Sequence, residues 1–221
     1  MTTPTTSSPL SPKLLKGALV TVPPTGGTAQ TIAFQYNPES LKRSLKPQVL
    51  GGNDDRAQVV RFTGAPVETI TVEVELDATD ALEAGDSTAL TLGIYPLLSA
   101  LELLVYPQSS QVVSNTALLN SGVLEIGPYQ APLTLFVWGQ KRVVPVMVTS
   151  VSVTEQAFNQ TLSPIQATVS LEMRALSYSD LSSGSQGYSQ FLTYQQTKET
   201  LSSGGFTSGA AQVTGVDTSQ F

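Results

Sequence analysis

The sequence contains no histidine and no cysteine. The first absence removes the side chain whose unperturbed pKa suits proton transfer near neutral pH. The second removes the commonest soft nucleophile and, with histidine, the ordinary zinc ligands. Ser-His-Asp and Cys-His chemistry, ordinary zinc sites and disulfides are therefore excluded, while carboxylate and lysine chemistry stay open. Charge is also scarce. Asp, Glu, Lys and Arg make up 13 % of the 221 residues, against roughly 25 % in soluble domains. A surface poor in ions is cheap to desolvate, which favours extensive protein–protein contact; a soluble β protein with a Thr/Ser-rich surface has the same composition. Apolar runs are short. The best, residues 90–105, is interrupted by Gly93, Pro96 and Glu102 and falls below the about 20 residues that span a bilayer. No membrane insertion is expected. Residues 1–12 are Thr/Ser/Pro-rich and lack the basic, apolar and cleavage-site regions of a signal peptide, so assembly in the cytoplasm is expected.

Sites for small ligands are missing too. No G-x-x-x-x-G-K-[ST] loop occurs, and no G-x-G-x-x-G opens a helix after a strand. Carboxylates gather at Glu73, Glu75, Asp77, Asp80, Glu83 and Asp86. Glu73 and Glu75 fall on the outward positions of an alternating strand, so a solvated face or ion pairs between subunits explain them better than paired-carboxylate catalysis. The spacing of a calcium-binding loop is absent. Net charge is −6, and the basic residues form no dense stripe interleaved with aromatics, so direct nucleic-acid binding is not expected. No catalytic residue, cofactor or metal site is assigned.

What is present is strand periodicity. Residues 17–22 and 30–36 read as the two strands of a hairpin around the turn-forming Pro23-Pro24-Thr25-Gly26-Gly27. Residues 58–62 make a short strand. In residues 68–77, Ile70, Val72, Val74 and Leu76 alternate with Thr69, Thr71, Glu73 and Glu75, the period of a half-buried strand. Residues 80–87 read as an acidic loop. Leu90, Ile94, Leu97, Leu98, Leu101, Leu104 and Val105 then recur at helical spacing, with the helix placed most firmly at 95–105. Residues 108–131 read as loop. Strands follow at 133–138, 141–153 and 165–174. A slip in the alternation at Ser150 predicts a bulge. The whole predicts a mainly β fold: an antiparallel sandwich or barrel of seven or eight strands with a helix at its side near residues 90–105. A flexible arm is expected at 1–12, the β domain at 13–178, and a Ser/Gly-rich extension at 179–221 with a short helix at 190–201.

Several short motifs, in order, resemble one family. Phe34-Gln35-Tyr36-Asn37-Pro38-Glu39-Ser40 is similar to the FQYNP signature of contractile injection system tube proteins. Phe136-Val137-Trp138-Gly139 and Val143-Val144-Pro145-Val146 resemble that family's strand pair after the helix. Thr154-Glu155-Gln156-Ala157-Phe158 and Pro164-Ile165-Gln166-Ala167 resemble its closing strands. The resemblance spans residues 14–176. It implies two packed antiparallel sheets of tail-tube type, and six copies in a ring that belongs either to the inner tube of an injection particle or to the tube-initiating adapter that links a spike to it. The implied partners are the inner tube ring, the spike or hub protein and baseplate proteins. Longer relatives carry a C-terminal LysM domain, which residues 179–221 do not resemble. The expected contacts between subunits or rings lie in the loop 42–56 and the acidic strand: Lys42, Arg43, Lys46, Asp54, Asp55, Arg56, Glu73 and Glu75. The other reading is a non-catalytic β-sandwich adhesion module. Such a module exposes aromatic platforms on loops, whereas most aromatics here lie on strands, Tyr129 and Tyr188 excepted.

Overall fold

The computed structural model describes residues 14–22, 28–50, 61–122 and 131–206. It is mainly β and antiparallel throughout. Seven strands form one sheet in the order β2-β1-β7-β8-β9-β6-β3: Gln30–Ala33, Ala18–Val22, Leu133–Val137, Val143–Phe158, Pro164–Ala175, Val67–Asp77 and Leu41–Lys46. Two further strands, β4 (Val49–Leu50) and β5 (Arg61–Phe62), pair only with each other. Among the described residues the α-helices are α1 (Thr79–Glu83), α2 (Ser87–Leu92), α3 (Tyr95–Glu102) and α4 (Ser109–Asn120), between β6 and β7, and α5 (Gln186–Ser202) after β9. The expected arm at 1–12 lies outside the described residues.

The alternation read from the sequence selects the inner face. Ile70, Val72, Val74 and Leu76 of β6 are buried, as are Ala167, Val169, Leu171 and Met173 of β9. Burying each such aliphatic side chain stabilises the fold by about 1.5–3 kcal/mol. In register, Val74 lies opposite Val169 and Val72 opposite Leu171. The predicted bulge is present, since the pairing of β8 with β9 slips between Val148 and Ser150. The slip lets Val146 and Val148 before it, and Val151 and Val153 after it, all turn inward.

The two packed sheets are in fact two halves of one rolled sheet. At about 4.8 Å per strand, the edges of a flat seven-stranded sheet lie roughly 29 Å apart. Yet residues 34–40 lead directly from edge strand β2 to edge strand β3. The Gln35 side chain, just after β2, is hydrogen-bonded to the backbone of Asp77 at the end of β6. The sheet therefore curls until its edges meet at one corner. Among the described residues β2 and β3 do not pair, so no closed barrel forms.

The helical region differs from expectation. The single helix near 90–105 is two short helices, α2 and α3; α1 forms where an acidic loop was expected at 80–87, and 108–131, read as loop, contains α4. Asp86 caps α2: its Oδ1 accepts from the Thr88 and Ala89 amides at 2.8 and 2.9 Å. Gly93 then breaks the run at φ +57°, where a Cβ would stand 2.0 Å from the Pro164 carbonyl oxygen. Only glycine fits that approach. Pro96 starts α3 afresh at a position needing no amide donor. Ile94, Leu98 and Leu101 enter the core. The helix expected at 190–201 begins earlier, at Gln186, because the Ser185 hydroxyl accepts from the Tyr188 amide. It buries Phe191 and Tyr194 against the sheet.

Candidate functional site: the assembly surfaces

The FQYNP segment sits at the corner where the sheet edges meet. Phe34 is buried and touches Phe136 at 6.5 Å between ring centroids; Trp138 stacks on Phe136 at 5.9 Å. Gly17 passes so close that a Cβ would come within 2.9 Å of both Phe34 and Trp138. Gln35 mimics a strand neighbour for Asp77: its Oε1 accepts from the Asp77 amide at 2.9 Å, and its Nε2 donates to the Asp77 carbonyl. Asn37 does the same for the start of the chain, accepting from the Gly17 amide and donating to the Leu15 carbonyl, both at 2.9 Å. The motif is thus a buckle. Its amides satisfy backbone groups of Leu15, Gly17 and Asp77, in two segments far apart in sequence. Replacing Gln35 with Ala leaves two Asp77 backbone groups without those partners. We expect a loss of about 2 kcal/mol, read as a lowered denaturant midpoint with an unchanged slope.

Pro164 is buried and its carbonyl accepts from the Ile94 amide at 2.9 Å, tying the helices to the start of β9. Gly139 takes φ +72° in the exposed turn between β7 and β8. Tyr36 and Pro38 line a shallow cleft with Glu73 and Glu75. Burial, then the charges of Asp80 and Asp77, raise the Tyr36 pKa.

A second cluster was not foreseen. Glu68 is 2 % exposed, on the inner face of β6. Arg43 Nε donates to its Oε1 at 2.7 Å, Lys198 Nζ to its Oε2 at 3.1 Å, and the Tyr194 hydroxyl to Oε1 at 3.0 Å. Lys198 also stands 3.9 Å from the centre of the Tyr194 ring, a cation–π contact. Burial pushes the Glu68 pKa up, but the Arg43 hydrogen bond and the Lys198 charge outweigh it and the net shift is downward. Burial also raises Tyr194 and lowers Lys198. The cluster fastens α5 to β3 and β6. Glu68 shares the strand parity of Ile70, so its inward position was legible in the alternation. Its partners on α5, some 126 to 130 residues away, were not.

The expected contact residues separate by position. Lys42 faces Thr71 across the β3–β6 pair and so shares the outer face with Glu73 and Glu75; Lys46 lies on that face too. Arg43 lies opposite Ile70 and turns inward to Glu68. Asp54, Asp55 and Arg56 lie outside the described residues. The outer face continues through Thr168, Ser170 and Glu172 of β9 and Ser150, Ser152 and Thr154 of β8. Over these three strands and β3 it is a face of hydroxyls, carboxylates and lysines. Among the described residues no group of three Asp or Glu side chains is arranged to hold a metal ion, and no helix is long and apolar enough to cross a membrane.

Large apolar side chains are instead exposed elsewhere. Leu45, Val49, Leu50 and Phe62 stand on or beside the β4–β5 arm, and Val113, Leu118 and Leu119 on α4. Exposed apolar surface of this extent marks sites of protein contact. A rolled antiparallel sheet with a hydrated outer face and uncovered apolar projections defines a subunit of a larger assembly.

The family model of the contractile injection system tube protein matches residues 19–182, roughly three quarters of the chain, and the chain belongs to that family. It is a tube protein of a contractile injection system. Helix α5 follows the matched region. Among curated proteins none matches. Two solved structures are similar in part. One is "Tail of empty GTA particle computed with helical refinement, C6 symmetry", at 12 % identity and TM-score 0.30. The other is "Virion of native gene transfer agent (GTA) particle", at 11 % identity and TM-score 0.27. Each alignment covers 72 % of this chain and 90 % of the other.

Proposed function

We propose that six copies of this tube protein close into a ring that serves as the tube-initiating adapter of a contractile injection system, seated between spike or hub and inner tube. The observation that carries this reading is the pairing of family membership with apolar projections that the subunit leaves uncovered. Cyclic closure requires two different complementary patches on each copy, and a tube removes exposed edges such as β2 and β3. The hydroxyl- and carboxylate-covered outer face suits the wet lumen, since it offers passing cargo no apolar hold. Lys42, Lys46, Glu73 and Glu75, with Asp54, Asp55 and Arg56, act as rim charges that set register between neighbours. Arg43 contributes by holding β3 in place through Glu68. The inner tube ring, spike or hub and baseplate proteins are the partners, the role is structural rather than catalytic, and assembly takes place in the cytoplasm before the particle is complete.

Light scattering tests the oligomer directly. The expected result is a mass near six times the 23.3 kDa of the chain, growing with concentration if rings stack. A constant monomer mass at high concentration contradicts it.

A further inference from the structure

Resting on the ring reading above, we propose that the tip of the β8–β9 hairpin, led by Leu162, is a preformed contact through which one copy of this chain touches the next.

The tip carries a cost that nothing inside the subunit offsets. Leu162 has φ +60° and is, among the described residues, the one non-glycine residue in the left-handed region. Glycine reaches that region freely, and asparagine does so with help from its short polar side chain; leucine has neither advantage. The turn demands it all the same. The Leu162 amide donates to the Asn159 carbonyl at 3.1 Å, and the Asn159 amide to the Ser163 carbonyl at 2.9 Å. This is the pattern of a three-residue hairpin loop whose last position is left-handed. Asn159 locks it: its Oδ1 accepts from the Thr161 and Ser163 amides at 2.9 and 2.8 Å, and from the Thr161 hydroxyl at 2.8 Å. Burial could offset the strain of a leucine here, yet Leu162 is 75 % exposed. Backbone strain that the surroundings hold in place points to function. An exposed aliphatic side chain gains only by being covered with another apolar surface.

The tip stands on a fixed base. The Ser163 hydroxyl donates to the Thr91 carbonyl at 3.3 Å, and the Pro164 carbonyl accepts from the Ile94 amide at 2.9 Å. Both bonds tie it to the C-terminal end of α2, where Leu90 and Leu92, on either side of Thr91, are also exposed. Residues 87–101 and 156–171 contain no Asp, Glu, Lys or Arg. The tip and α2 therefore offer no ion pair to a phosphate or a charged headgroup, and fit an uncharged apolar protein surface instead. The chain carries a net charge of −6, so copies of it repel one another. A charge-free surface is where two of them approach at least cost. The partner is a second copy of this chain.

Two substitutions separate the strain from the contact. Leu162→Asn suits the left-handed turn and removes the apolar side chain. Leu162→Ala removes the side chain and keeps the strain. Stability of the full chain is read as a urea midpoint in dilute solution, and assembly by light scattering over a concentration series. Leu162→Asn is expected to raise the midpoint with an unchanged slope, and Leu162→Ala is not. Both are expected to raise the concentration of half-assembly about tenfold, the loss of one buried aliphatic contact. A residue that served the subunit alone would not move stability and assembly in opposite directions. Leu162→Asn that assembles at the unsubstituted concentration overturns the contact and leaves the ring. A lowered midpoint in Leu162→Asn also overturns it, because the support of Leu162 then lies within the subunit. An unsubstituted chain that stays monomeric at every concentration removes the ring reading and this contact together.

Discussion

Val169→Asp is expected to abolish the folded subunit. Val169 is fully buried at the centre of β9, opposite Val74 on one side and Val153 on the other. Its neighbouring inward residues on β9 are the apolar Ala167 and Leu171. A carboxylate there is either ionised without a partner or protonated at the expense of its pKa. Both cost several kcal/mol, comparable with the whole stability of an ordinary domain. Circular dichroism of the soluble fraction checks this, and a folded, cooperatively melting variant would contradict the assigned sheet face. Val169→Thr at the same position is expected to fold with reduced stability, since its hydroxyl carries no charge.

The next largest effect is expected at Arg43. Arg43→Ala removes the first of two cations from a carboxylate that is 2 % exposed. Breaking a buried pair from one side costs about 3–5 kcal/mol; Lys198 remains, which places the expected loss near the lower bound. Pairing the change with Glu68→Leu is expected to restore part of it, because no buried charge is then left alone. Recovery is partial because the Tyr194 hydroxyl loses its acceptor. The pH dependence follows in sign. Glu68 has a folded pKa below its unfolded value. Its contribution is therefore fully present above the unfolded pKa, near 4.3, and is lost as pH falls through the lower folded value. In the wild-type protein α5 is expected to loosen in acid, read by hydrogen exchange of residues 186–202. In Glu68→Leu that acid-dependent step disappears.

Strands β6 and β9 were legible in the sequence because each side chain on them has one of two fates, and the period of two records it. The bulge at Ser150 was legible for the same reason. The rolled single sheet was not. Local alternation says which face is inward but not how strands far apart in sequence are joined, and the decisive contact is one glutamine side chain on Asp77. The motif around Gln35 and Asn37 was visible as a resemblance, and its geometry supplies the physical reason: short amides that replace missing strand partners. Helix α4 escaped notice because its apolar residues have no helical stripe. A stripe reflects burial against the chain's own core, and α4 has none. The Glu68 cluster joins β6 to a helix more than 120 residues later, a separation over which no sequence period carries information.

Strand parity also divides the expected contact residues. Arg43 and Lys42 are neighbours in sequence but face opposite sides of β3. One holds the subunit together through Glu68 and the other lies on the outer face. Composition drew attention to both, and strand parity tells them apart.

Negative-stain electron microscopy of the purified chain tests the central claim most directly. The account predicts rings with an open lumen and sixfold symmetry, alone or in short stacks. Uniform monomeric particles at concentrations where the protein is fully folded would contradict it.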